Sequence, residues 1–69
     1  MMFRYRVNPV THTIILKGKR EGREEERIIE QPPPCPQRFI FAGQGLFTGH
    51  HLIESPDPDI ARRITFLED

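Results

Sequence analysis

The sequence predicts a small α+β domain that is mainly β: a curved, barrel-like antiparallel sheet of about four to six short strands, with a short helix near the C-terminus. Three observations lead there. Residues Phe3 to Val7 alternate strictly between apolar or aromatic side chains and arginine, the period-2 pattern of a half-buried strand. The charged stretch Lys17 to Arg27 finds matched partners when it is folded back on itself as a hairpin. The run Pro32-Pro33-Pro34-Cys35-Pro36 removes four amide donors in five positions, so neither a helix nor a central strand passes through it. With 69 residues the chain is one domain, 1–69, with 32–36 as a proline-rich connector.

Each element has its own warrant. Phe3, Tyr5 and Val7 share one face of the first strand and Arg4 and Arg6 the other, and Asn8-Pro9 then starts a turn. Thr11 to Lys17 is rich in β-branched residues and reads as a second strand. If the next loop is Arg20-Glu21-Gly22-Arg23, Gly22 supplies a positive φ. The pairs are then Lys19 with Glu24, Lys17 with Glu26, Ile15 with Ile28 and Ile14 with Ile29, and a slip of one residue destroys all of them. A short helix over Glu21 to Gln31 is the alternative, but its two apolar residues are adjacent and β-branched and form no helical stripe. Beyond the prolines, Arg38 to Ala42 is a strand, Gly43-Gln44-Gly45 a turn, and Leu46 to Glu54 extended, with Gly49 as a candidate bulge. Ser55-Pro56-Asp57-Pro58-Asp59 looks like a helix start, with Ile60, Ile64 and Leu67 at helical spacing, although Ile64-Thr65-Phe66 also alternates as a strand does. The expected core is Phe3, Tyr5, Val7, Ile14, Ile29, Phe39, Phe41, Phe47, Ile60, Ile64 and Phe66.

Composition narrows the functional classes. Ten basic and ten acidic residues give a formal net charge of zero, whereas nucleic-acid-binding domains are usually basic. The cations are eight Arg and two Lys, and guanidinium suits bidentate recognition of carboxylate or phosphate, although codon bias from a GC-rich genome explains the choice equally well. Cys35 is the only cysteine, so no disulfide forms within the chain, and this agrees with a reducing, cytoplasmic setting. No signal peptide and no apolar run approaching a membrane span is expected.

The candidate motifs are weak ones. Gly43-Gln44-Gly45-Leu46-Phe47-Thr48-Gly49 lacks the Lys-Ser/Thr of a phosphate-cradling loop and reads as a glycine-rich hairpin. Pro33 to Arg38 fits a polyproline ligand pattern, but a rigid connector is the plainer reading. His12, His50, His51 and Cys35 lack paired metal-ligand spacings, so no metal and no cofactor is expected. No nucleophile, base and oxyanion set stands out, and the chain is read as non-enzymatic. No family resemblance is drawn.

What remains is a small protein-binding module: a subunit, adaptor or regulator that docks on a larger assembly. Lys17, Lys19, Arg20 and Arg23 on the hairpin, with Arg4 and Arg6 on the first strand, are the candidate partner-binding residues. The alternative is a small-barrel nucleic-acid binder that presents Arg4, Tyr5, Arg6 and Arg38 to a single strand. The direction of Tyr5 discriminates the two, and the alternation places it inward with Phe3 and Val7. A homodimer formed through a free strand edge is a further possibility for so small a core.

Overall fold

The computed structural model describes residues 1–31 and 37–67. Among these residues seven strands run in chain order: β1 Phe3–Asn8, β2 Thr13–Arg20, β3 Arg23–Glu30, β4 Arg38–Phe41, β5 Leu46–Thr48, β6 His51–Ser55 and β7 Ile64–Phe66. They form two antiparallel sheets, one ordered β3-β2-β1-β6 and the other β5-β4-β7. This corrects the single curved, barrel-like sheet expected from the sequence. The barrel does not close, because among the described residues no strand of one sheet pairs with a strand of the other, and the chain changes sheet between β5 and β6. Gly49, with φ 73°, stands at that corner and is not a bulge within one strand.

The hairpin of β2 and β3 has the register that its side chains demand: Lys19 faces Glu24, Lys17 faces Glu26, Ile15 faces Ile28 and Ile14 faces Ile29. Its loop is two residues long. Glu21 (φ 54°) and Gly22 (φ 77°) both take positive φ, as a type I′ turn requires to match strand twist. On the other side of β2, β1 pairs Val7 with Ile14 and Tyr5 with Leu16, so the apolar members of both strands share one face. A further consequence falls on Gly18. A Cβ there would lie 2.2 Å from Cδ1 of Phe3, so the buried Phe3 ring occupies the space that any other residue at 18 would need.

The core forms where the two sheets face each other. Phe3, Tyr5, Val7, Ile14 and Leu16 from the first meet Phe39, Phe41, Ile64 and Phe66 from the second, with Ile60 and Ala61 closing one end. Ile29 and Phe47 pack against this cluster only in part. Ring contacts cross between sheets: Phe39 meets His51 edge-on at 5.6 Å between centroids, and His12 tilts over Phe66 at 4.6 Å.

The short C-terminal helix is only a single 3-10 turn, Ile60–Arg63, which passes directly into β7. The strand pattern of Ile64-Thr65-Phe66 prevails because β4 offers a free edge, where Phe39 pairs with Phe66 and Phe41 with Ile64. Upstream, Ser55 and Asp57 do cap, but they cap turns: Ser55 Oγ accepts from the Asp57 amide at 3.1 Å and Asp57 Oδ1 from the Asp59 amide at 2.9 Å. The Asp57 carbonyl also accepts the Tyr5 hydroxyl, which ties β1 to this C-terminal segment. Among the described residues no helix is long and apolar enough to cross a membrane.

Candidate functional site

The charged surface is built on the sheet β3-β2-β1-β6. Because antiparallel partners point to the same side, the register sorts its side chains into an outer face and an inner face, the latter turned toward the second sheet. Two rows cross the outer face. One reads Glu26, Lys17, Arg4, Glu54 and the other Ile28, Ile15, Arg6, Leu52. Arg4 Nε lies 3.1 Å from Glu54 Oε1 and Lys17 Nζ 4.0 Å from Glu26 Oε2, so the cations of the first row are matched by carboxylates. Lys19 stands opposite Glu24 in the next row. Arg4, Lys17 and Lys19 line one shallow, open depression together with exposed Met1 and Met2. Arg6 lies between Ile15 and Leu52, an exposed guanidinium in an otherwise apolar row.

Arg20 and Arg23 are not part of that surface. They face each other on the inner face of the hairpin, on the same side as Leu16 and Ile14. Burial ends before it reaches them: Ile29 is half-buried, while Arg27, Arg23 and Arg20 are all exposed. β1 begins at Phe3, opposite Gly18, so the last two pairs of the hairpin extend past the regular part of β1 and form an arm. All six residues from Lys19 to Glu24 are exposed, and the molecule is drawn out to 41 Å along its longest axis against 21 and 16 Å across.

The six cations singled out in the sequence therefore form two groups. Arg4, Lys17, Lys19 and Arg6 occupy the outer face, and Arg20 and Arg23 occupy the inner face of the arm. Arg27 belongs with the second group and was missed, although the hairpin register already carried the signal. With a two-residue loop, odd-numbered residues of β3 share a face with even-numbered residues of β2. Among the described residues no carboxylate lies within ion-pair distance of Arg20, Arg23 or Arg27. Among the paired residues of β2 and β3, Glu25 is the one acidic side chain on that face of the hairpin.

The remaining polar groups are dispersed. Tyr5 is fully buried with its hydroxyl on the Asp57 carbonyl, and burial, with smaller contributions from Asp57 and Asp59, raises its pKa above the ordinary tyrosine value. His51 places Nε2 2.6 Å from the Thr48 carbonyl, beside Phe39 and Phe47, while His50 is exposed. His12 is buried, and among the described residues its Nδ1 has no hydrogen-bond partner. Among the described residues, no three metal-ligating side chains gather in one place. Cys35 and most of the polyproline pattern lie outside the described residues. Compared with protein-family models, curated proteins and solved structures, the chain matches none.

Proposed function

We propose that this protein is a small, non-enzymatic docking module, a cytoplasmic subunit, adaptor or regulator that binds a larger protein assembly through the β2–β3 arm. The observation that carries the reading is the arm itself. It extends past the regular part of β1, offers a free strand edge, and holds the exposed Arg20 and Arg23, with exposed Arg27 next on the same face of β3; among the described residues no carboxylate lies within ion-pair distance of these three. Such a field orients an approaching partner and speeds encounter, and the bare edge adds main-chain hydrogen bonds. The nucleic-acid alternative asks for an aromatic face beside Arg4 and Arg6 on which bases stack. Tyr5 lies in the core instead, and the outer rows beside those arginines hold Ile15, Ile28 and Leu52. The test is the triple variant Lys19→Ala, Arg20→Ala, Arg23→Ala, titrated against a partner recovered from the native host in the presence of nuclease. The expected result is an unchanged melting temperature with weakened, salt-sensitive binding. Unaltered affinity at low salt removes the arm from the interface.

A further inference from the structure

We propose that the inner face of the β2–β3 hairpin, with Arg20, Arg23 and Arg27 along it, binds an extended acidic segment of a protein partner laid against the free edge of β3. This rests on the docking reading above and gives the partner its chemistry.

The charges of the arm are not arranged as a solubility device would arrange them. On the outer face Lys19 stands opposite Glu24 and Lys17 opposite Glu26, each cation meeting an anion. On the inner face Arg20 stands directly opposite Arg23. Like charges in that position destabilise a hairpin, yet two guanidiniums are held there at the tip. Arg27 follows on the same face, and against the three cations there is only Glu25. The inner face is thus electropositive while the outer face is balanced.

The spacing identifies the shape of the anion. Arg23 and Arg27 are four residues apart on one strand, hence about 13 Å apart on the same side. Carboxylates at positions i and i+4 of an extended chain have that spacing too, and each offers the two oxygens that a guanidinium fork engages. Such a chain has a place to lie, because β3 is eight residues long and, among the described residues, its edge away from β2 has no strand partner. The complementary segment has acidic residues facing Arg23 and Arg27, a neutral or basic residue facing Glu25 between them, and no acidic residues on its other side, where Glu24 and Glu26 point.

A second copy of this chain does not supply that segment. A two-fold axis through the edge would pair residues of equal parity. Every such register that overlaps four or more residues of β3 sets Glu against Glu or Arg against Arg: Glu24 with Glu26, Glu26 with itself, Glu24 with Glu30, or Glu26 with Glu30. Nucleic acid is the less suitable polyanion, since the chain is neutral overall and the tyrosine that would stack on its bases is buried.

The experiment uses the full chain and two synthetic peptides of identical composition and the length of β3, otherwise threonine and valine. One has Glu at i and i+4, on one side of a strand, and the other at i and i+3, on opposite sides. The first is expected to bind at least about tenfold more tightly, with affinity falling as salt rises. That preference is expected to vanish in the Arg23→Gln, Arg27→Gln variant and to persist in Arg62→Gln, Arg63→Gln, which removes the same charge away from the hairpin. All of these side chains are exposed, and circular dichroism verifies that each variant is folded. Equal binding of the two peptides, no binding of either, or retention of the preference in the arginine variant overturns the proposal. Tighter binding of a single-stranded oligonucleotide to the same arginines overturns it in favour of nucleic acid. Each of these results leaves the docking reading to its own test, the titration of the triple alanine variant.

Discussion

Gly18 shows how one residue reports on packing against the neighbouring strand. It lies mid-strand, where glycine is usually a weakness, and it is required there because the Phe3 ring fills the space of a side chain. Gly18→Ala is expected to destabilise the fold by about 1–3 kcal/mol through overpacking, and by less in a Phe3→Ala background, as thermal or urea denaturation of the double-mutant cycle will show. Tyr5 carries a second prediction. Its hydroxyl donates to the Asp57 carbonyl, and Tyr5→Phe is expected to cost about 1 kcal/mol by leaving that bond unmade. The phenol's folded pKa is raised above 10.0, so the unfolded chain ionises first as pH rises. The folded state then binds the extra proton, and stability falls with increasing pH from about 10 upward. In Tyr5→Phe this component of the alkaline loss should disappear, which denaturation midpoints on either side of pH 10 will measure. Neither contact was legible beforehand. Alternation sends Tyr5 and Phe3 inward, but it does not say which backbone group or which gap each will meet.

At the scale of elements, the β2–β3 hairpin was the most readable part of the chain, because four pairs of side chains agree on one register. That register also separates Arg20, Arg23 and Arg27 from Lys17 and Lys19, a consequence contained in the sequence but visible only when the pairing is followed to both faces. It sets stability against function at the tip. Arg20→Glu replaces a like-charge pair with an opposite one, and the hairpin should become more stable by up to about 1 kcal/mol. The same change should weaken capture of an acidic strand. A more stable protein that binds less well separates a docking role from a structural one, and a melting curve with a peptide titration reads both. The C-terminal element was harder to read. Ile60 and Ile64 have helical spacing while Ile64 and Phe66 have strand spacing, and local pattern does not choose between them. The choice is made by β4, whose unpaired edge takes Ile64–Phe66 as a third strand.

At the scale of the whole molecule, alternation revealed the core but not its division into two sheets. Nine of the eleven expected core residues are buried, and Ile29 and Phe47 are partly so, because inward parity is a local property. Which strands become neighbours is a non-local one. Nothing in the sequence of β6 says that Arg4 will meet Glu54 across β1, or that β4 will lie between β5 and β7. The two-sheet arrangement leaves β3 and β6 as the outer edges of the larger sheet, and the two edges have opposite characters. β3 repels its own copy, as its glutamates and arginines require. β6 is short and less guarded: a two-fold register that places Leu52 opposite Leu52 sets His51 against Ile53 and His50 against Glu54, with no like charges facing. Leu52 is also 62 % exposed, in the same row as Ile28 and Ile15. Any self-association of this chain is therefore expected to run through β6. In sedimentation equilibrium at rising concentration, Leu52→Arg should return whatever dimer forms to the 8.1 kDa monomer, while Glu24→Gln with Glu26→Gln, which removes charge from β3, should strengthen association by unguarding that edge. A dimer that survives Leu52→Arg and is lost on restoring charge to β3 would reverse the assignment of the two edges.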